Sequence, residues 1–542
     1  MRATVVAVSD AAGTSPAVGE RSRRGGRFAR LRRLPPVAAA IAVPSLIALG
    51  LCCYQYSTPN LLFSVYDGDD GVYFGAAMRL SDGLFPYKDF VIVHPPGIAV
   101  LLLPLAAVGH LFGTRVGFAA ARCLTVAVVT ANVVLVGLLV RHRGAFAAFA
   151  AGLFLACFPV AVAADNTLLL EPYLAFFCLL GLLLAFPKGQ LATGRRLIGA
   201  GAAFGLASTV KIWAVFPLLA IGAYLLFRHR EAIGRFAFGL VVALAVFAGP
   251  FAAAAPAAFF RDVVASQWLR GRRGTPTAPP GDRLLQLTGI GGWGPNLAAS
   301  VGVLAGVALV ALLGAYFVCV RGHSSLEFAL ASGAAVAVAA EFISREFYAY
   351  YAYFPAVFIA PLCALALSSI VWRFREGLAR RPSVDPRLRR ALGRLPWAAA
   401  VVAAALAVPA NASYASQYLA SSGINNPAPV IDAAIPPGAC VLSVDVVYAL
   451  VSDRFTSPPG CPTLDDSYGT WIALNDGSPP ASPPFSPALV SQWTSWLEQA
   501  NYLIYRQTNV KIPLTPALVA YVDAHYRLVA SGQYFQVFRH TP

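Results

Sequence analysis

Residues Leu297–Val320 read LAASVGVLAGVALVALLGAYFVCV and contain no Asp, Glu, Lys or Arg. A helix of about 20 apolar residues crosses the hydrocarbon core of a bilayer, and in lipid a helix is favoured because it closes its own backbone hydrogen bonds. The stretch therefore reads as a membrane-spanning helix. Ala145–Ala164 is apolar in the same way. Across the 542 residues, 58% are hydrophobic and 12% charged, with mean hydropathy +0.65. Soluble domains carry about 25% charged residues, so a large soluble core is excluded. The chain reads as an α-helical polytopic membrane protein.

Its formal net charge of +16 is placed in a particular way. Arginines cluster in short runs between apolar segments, at Arg21–Arg33, Arg141/Arg143, Arg195/Arg196, Arg228/Arg230 and Arg373–Arg394. Cytoplasmic loops carry such runs. The charge therefore argues for membrane lipids as neighbours and against a nucleic-acid partner.

These loops order the chain. Residues 1–34 are Gly-, Ser- and Arg-rich and are expected to form a disordered basic cytoplasmic tail. Residues 35–411 are expected to form the membrane domain. Its eleven spans fall at 37–54, 115–140, 145–163, 171–187, 196–211, 213–227, 235–254, 296–320, 326–343, 352–372 and 396–411. An outer loop covers 56–113 and includes the apolar Pro95–Phe112, which reads as an interfacial helix. A second outer loop, Ala255–Pro295, carries Arg261, Arg270, Arg272, Arg273 and Arg283. Positive charge on the outer side suits either a local task or lipid headgroups.

From Ala412 the composition shifts to Pro, Ser, Asp, Tyr and Trp. Strand-like runs at Ala439–Val444, Tyr502–Tyr505 and Tyr534–Arg539 alternate with helix-like ones at Pro487–Gln499 and Thr515–His525. Residues 412–542 are thus expected to be an extracytoplasmic α/β domain. The whole is expected in the plasma (inner) membrane. Seven of the nine cysteines lie in or beside apolar helices and read as small hydrophobes. Cys440 and Cys461 lie in the outer domain and are expected to form a disulfide.

The chemistry is concentrated after the first span, in Tyr66-Asp-Gly-Asp-Asp-Gly-Val-Tyr-Phe-Gly75. Adjacent carboxylates at a membrane surface suit a general base, a divalent cation held by oxygen ligands, or a solvated acidic turn. Further on come Gly83-Leu-Phe-Pro-Tyr-Lys-Asp-Phe90 and His94-Pro-Pro-Gly97. This order resembles the first outer loop of GT-C glycosyltransferases. The likeness is to members using polyprenyl-phosphate sugars, including protein O-mannosyltransferases and the aminoarabinose transferase of lipid A. It covers about residues 36–410.

The resemblance implies an inverting transfer of a sugar from a polyprenyl-phosphate donor to an acceptor hydroxyl on a glycan, lipid or protein. Asp69 matches the proposed base, with Asp70 beside it and Tyr73 as the aromatic that follows. Relatives differ in metal use, so a cation at the pair stays open. Glu171, in Asp165-Asn-Thr-Leu-Leu-Leu-Glu171-Pro172, matches the family's second acid, with Asp165 as a further cavity candidate. Glu171 also suits a helix start, where the dipole favours an acid. Lys211 matches the lysine at the donor phosphate, and also suits a snorkelling lysine; the chain has four lysines in all. Arg270, Arg272, Arg273 and Arg345 are further candidates for the phosphate. His94 and Tyr348 are candidates for the substrate cavity. Tyr348 sits in Ser344-Arg-Glu-Phe-Tyr-Ala-Tyr-Tyr-Ala-Tyr-Phe-Pro355, whose tyrosines also suit a membrane interface. A lipid or glycan transporter, or a membrane scaffold with an outer binding domain, are the alternatives.

The topology is directly testable. Reporter fusions at Ala192 and Ser421 should report opposite sides of the membrane, with Ala192 inside. A cytoplasmic signal from the Ser421 fusion would overturn the orientation.

Overall fold

The computed structural model describes residues 36–65, 67–273, 277–293, 298–320, 322–380, 385–421, 424, 426–475, 484–506 and 511–541, without the side chains of 271–273, 293 and 421. The tail expected over 1–34 lies outside this set.

Six described helical stretches are long and apolar enough to cross a membrane: Pro36–Tyr56, Thr114–Arg143, Ala299–Cys319, Ser325–Ile343, Ala349–Ala379 and Pro386–Ala420. Shorter apolar helices, Gly97–Phe112, Ala145–Ala156, Leu170–Ala185 and Ile212–Arg228, pack among them. The sequence suggests uninterrupted spans where the chain in fact breaks. The segment expected over 145–163 stops at Ala156 and restarts at Pro159. A proline is well tolerated at a helix start because it lacks the N–H that would be orphaned there. The carbonyl freed at the break is recovered: Asn411 Nδ2 donates to Cys157 O at 2.9 Å. The non-helical stretch after Ala164 is held likewise. Gln55 Nε2 donates to Val162 O at 2.8 Å, and Tyr56 Oη donates to Asn166 O at 2.8 Å.

The loop between the first two long apolar helices is itself folded. Gly68–Ser81 is a helix packed against Gly97–Phe112, which in turn packs on Thr114–Val140. Phe74, Ala77, Ile98, Leu102 and Phe118 form their shared core.

Helices Arg195–Val210 and Arg230–Phe247 cross at backbone contact. A Cβ at Gly201 would fall on the carbonyl oxygen of Phe236, and one at Gly239 on that of Ile198. Small residues at such crossings permit the close van der Waals contact on which helix pairing in lipid depends.

The C-terminal region folds as a small α/β domain. Strands β1 (Val441–Ser443), β2 (Tyr502–Arg506), β3 (Tyr526–Ser531) and β4 (Phe535–His540) form one sheet in the order β1-β2-β4-β3. β1 and β2 are parallel, with Val441 opposite Tyr502; the other pairs are antiparallel. β3 has no counterpart in the sequence reading, because it follows the helix Pro516–His525 without a turn. Trp471, Trp493 and Trp496 fill the core, and Cys440 is disulfide-bonded to Cys461 with Cα atoms 5.2 Å apart.

This domain rests on the folded outer loop. A Cβ at Gly71 would meet Val447 at 2.7 Å, Thr114 Oγ1 donates to Leu450 O at 2.8 Å, and Arg79 Nη2 donates to Leu464 O at 2.8 Å.

Gly239→Val should force the two crossing helices apart, at a cost of ~1–3 kcal/mol or more. Gly234→Ala on the same helix is the control, since nothing lies within 4 Å of a Cβ there. Thermal unfolding of the purified protein should show a lowered midpoint for the first and none for the second.

Candidate active site

The segment between helices Ser325–Ile343 and Tyr353–Ala379 carries Tyr348, Tyr350 and Tyr351. A short turn at Ala349–Ala352 lets the rings pack on one another. Tyr348 stacks on Tyr350 with centroids 5.6 Å apart, and Tyr351 stands edge-on to both, at 5.4 and 5.0 Å. Their hydroxyls reach in different directions. Tyr350 Oη donates to Asp69 Oδ2 at 3.2 Å, while Tyr351 Oη accepts from Arg270 Nη2 at 3.2 Å. Lys211 Nζ lies 4.4 Å from the centre of the Tyr351 ring and 4.0 Å from that of Trp213. One aromatic turn thus gathers Asp69, Lys211 and Arg270.

Lys211 reaches this place because its helix stops. Arg195–Val210 ends, Lys211 is extended (φ −148°, ψ 133°), and a new helix follows after the turn Ile212–Ala214. The side chain is buried and forms an ion pair with Glu171. Glu171 stands in the first turn of Leu170–Ala185, where the helix dipole favours an anion. Two aromatic faces supply further attraction for the ammonium. A snorkelling lysine would instead extend towards water.

Asp69 and Asp70 are adjacent in sequence and opposite in situation. Asp67 caps the helix Gly68–Ser81 by accepting from the Asp69 N–H at 2.8 Å. This turns Asp69 outwards, exposed, and Asp70 inwards, fully buried. Asp70 pairs with Arg122, whose Nη2 and Nε lie 2.6 and 3.0 Å from Oδ2. Arg122 Nη1 also donates to Leu61 O and Leu62 O, at 3.1 and 2.9 Å. Asp70 is therefore a structural anchor in place of a reacting group. The two carboxylates also do not fit a shared cation, since Asp70 turns into protein and is held by a guanidinium. Among the described residues, no group of three or more His, Cys, Asp or Glu could hold a metal ion. Burial, reinforced by Asp69 and Asp70, pushes Asp67 up to about 8.

His94 and Tyr73 pack against each other. Their rings are edge-on at 5.4 Å, with Tyr73 Oη 3.5 Å from His94 Nε2. Tyr87 Oη donates to His94 O at 2.6 Å, and Gln267 Nε2 donates to Val93 O at 2.6 Å. Gly97 leaves room for the Thr209 carbonyl, which a Cβ would meet at 2.6 Å, so the His94–Gly97 turn can lie against the end of the Lys211 helix. Burial, with the Lys211 and Arg270 charges, pushes His94 well below its usual range, so the ring is neutral.

Other expected residues lie elsewhere or are already engaged. Arg270 forms an ion pair with Glu346, and Tyr468 Oη donates to the other oxygen of Glu346 at 2.6 Å. Asp165 is buried, and its electrostatic neighbours are Cys52 and Tyr353 in place of Lys211. The chain turns between Ala164 and Leu170, which separates it from Glu171. The Arg345 side chain is exposed and lines an outer groove of 530 Å³ with Arg283 and Thr277, while its neighbour Glu346 turns inwards. The side chains of Arg272 and Arg273 lie outside the described residues.

The structure also brings in residues that sequence reasoning did not single out. Arg122 is the one charge in the interior of the apolar helix Thr114–Val140, past Arg115 at its start, which was a usable signal. Glu346 and Glu341 carried a similar one. Tyr468 and Lys511 had none, being far away in the chain. Lys511 Nζ lies 2.9 Å from Asp445 Oδ1, which would lie 3.8 Å from a Cβ at Gly68, next to Asp69. Burial opposes ionisation of Asp445, but the Lys511 and Arg506 cations hold it below the usual range. Burial pushes Asp466 up to about 6. An apolar groove of about 930 Å³ runs past Phe154, Phe158, Leu367 and Leu406. None of these charged side chains lines it.

No family model matches this sequence, and no curated protein matches it either. Solved structures do match. ArnT from Cupriavidus metallidurans bound to undecaprenyl phosphate is 16% identical, with TM-score 0.53, covering 93% of this chain and 97% of that one. Its apo state is 15% identical over the same shares, with TM-score 0.54. The oligosaccharyltransferase of Archaeoglobus fulgidus in the apo form is 15% identical, with TM-score 0.47, covering 87% of this chain and 69% of that one. The likeness to ArnT extends over nearly the full length of both chains. The fold is GT-C-like, a polytopic helical domain with a C-terminal α/β domain.

Arg122→Met would leave the Asp70 carboxylate buried without its cation. Removing one partner of a buried pair costs about 3–5 kcal/mol, so the thermal midpoint should fall steeply. Asp69→Asn alters an exposed group and should shift it little.

Proposed function

We propose that the chain is a glycosyltransferase that takes a sugar from a polyprenyl-phosphate carrier and passes it to an acceptor hydroxyl at the outer face of the plasma (inner) membrane. The observation that carries this is the aromatic turn Tyr348–Tyr351, which links an exposed carboxylate, Asp69, to a buried ammonium, Lys211. Sugar transfer from a lipid phosphate needs those two functions close together. A base takes the proton of the incoming hydroxyl, and a cation meets the charge left on the phosphate. The carrier class is that of the undecaprenyl phosphate bound to ArnT, with which this chain shares its fold.

In this reading Asp69 accepts the proton of the acceptor hydroxyl. The acceptor oxygen forms a bond to the anomeric carbon as that carbon's bond to the phosphate oxygen breaks. The bonding pair leaves with the phosphate, and attack from the opposite face inverts the configuration. Lys211 receives the developing phosphate charge. It is held ready by Glu171 and by the faces of Trp213 and Tyr351, so little reorganisation is needed. Arg270 lies beside the same tyrosines, but Glu346 and Tyr468 occupy it, so it acts on the site through that network. Neutral His94 and Tyr73 form an uncharged wall for the sugar. The acceptor approaches beneath the C-terminal domain, which reaches the site with Tyr468 and Lys511. With residues 412–542 outside, the acceptor is a glycan, lipid or protein of the cell envelope.

Lipid-linked sugar analysis of a deletion strain tests this. The strain should accumulate the donor and lack the product glycan, and the wild-type gene should clear the donor. Asp69→Asn keeps the shape but not the base, so turnover should fall by about 10²–10⁴-fold. Lys211→Ala should also fail to clear the donor at normal expression. A deletion strain with no accumulated lipid-linked sugar would sink the reading.

A further inference from the structure

Glu341 stands near the end of Ser325–Ile343 and has no part in the chemistry above. It is 1% exposed, and among the described residues neither carboxylate oxygen has a hydrogen-bond partner. Other acids around the site have a partner on at least one oxygen: Glu171 meets Lys211, Glu346 meets Arg270 and Tyr468, Asp70 meets Arg122 through Oδ2, and Asp69 meets Tyr350. The charges acting on Glu341 are those of Lys211, Glu171 and Arg283. Lys211 is committed to Glu171. Arg283 is committed to backbone carbonyls, donating to Ala278 O at 3.0 Å, Ser344 O at 2.6 Å, Arg345 O at 2.7 Å and the carbonyl of Glu341 itself. The guanidinium thus fixes the helix end and leaves the carboxyl group unmet.

A buried carboxyl group without donors is costly, and within a membrane such a group marks a functional position. What it lacks is hydrogen-bond donors. On the reading that Lys211 meets the donor phosphate, the sugar bonded to that phosphate lies near Lys211, whose charge also acts on Glu341, and its ring hydroxyls are donors. We propose that Glu341 accepts hydrogen bonds from hydroxyl groups of the donor sugar, and so helps to determine which sugar the site takes. This rests on the glycosyltransferase reading and adds a residue that discriminates among donors.

The full-length protein in nanodiscs would be titrated with undecaprenyl phosphate alone. It would then be titrated with undecaprenyl phosphate bearing mannose, glucose, galactose or arabinose. Wild type should bind undecaprenyl phosphate, and at least one sugar-bearing form more tightly. Glu341→Ala should keep the affinity for undecaprenyl phosphate and lose the sugar's advantage by about tenfold or more. Glu341→Gln, which keeps one acceptor oxygen, should fall between. Lys211→Ala should lose affinity for undecaprenyl phosphate itself. Without ligand, Glu341→Leu should unfold at or above the wild-type temperature, because it removes an unmet buried group. Equal loss of both ligands in Glu341→Ala, unchanged sugar preference, no sugar preference in wild type, or a lowered midpoint for Glu341→Leu would each overturn the assignment. Failure of wild type to bind undecaprenyl phosphate would remove the glycosyltransferase reading as well.

Discussion

The candidate site of this protein is organised around one buried ammonium. Lys211 sits where a helix stops short, with Glu171 as its counter-ion and Trp213 and Tyr351 against it. A cation in that setting must be fully compensated, because water is not there to do it. Compensation requires three separate segments to converge: the start of Leu170–Ala185, the break at Val210–Ile212, and the tyrosine turn. Once they converge, the same turn reaches Asp69 through Tyr350 and Arg270 through Tyr351.

The same rule governs the rest of the membrane domain. Where the chain departs from helix, side chains meet the freed backbone groups, as Asn411 does at Cys157 and Gln55 at Val162. Most buried charges come in pairs, and Arg122 with Asp70 fixes the folded loop Gly68–Ser81 to the helix Thr114–Val140. The C-terminal domain is seated on that loop and reaches the site from above with Tyr468. Asp165 and Glu341 depart from the rule, and on the proposed reading a ligand supplies the partners of Glu341.

Much of this was legible in the residues. Asp69 after the first apolar run, Glu171 at a helix start and Lys211 in a chain of few lysines each stand out against an apolar background. The disulfide cysteines stand out by lying in the polar C-terminal region. Asp70 was not separable from Asp69, since which of two neighbouring acids faces inwards depends on the cap set by Asp67 and on a guanidinium more than fifty residues away. Asp165 and Glu171 likewise look alike in sequence, and a non-helical turn sends them to different neighbours. Strand β3 went unnoticed because a helix runs into it with no turn residue between.

The sequence by itself determined the class of the molecule. Apolar length and the spacing of arginines are one-dimensional properties, and the bilayer reads them directly as span and loop. It also narrowed the chemistry, because a charge in an apolar run is costly enough to be informative wherever it occurs. The tertiary structure alone decided which charges meet. Ion pairing and hydrogen bonding fall off over a few ångströms, and the partners here come from distant segments: Asp70 with Arg122, Arg270 with Glu346, and Tyr468 donating to Glu346. No local pattern encodes such pairs. They exist because helices broken at particular residues pack their ends together.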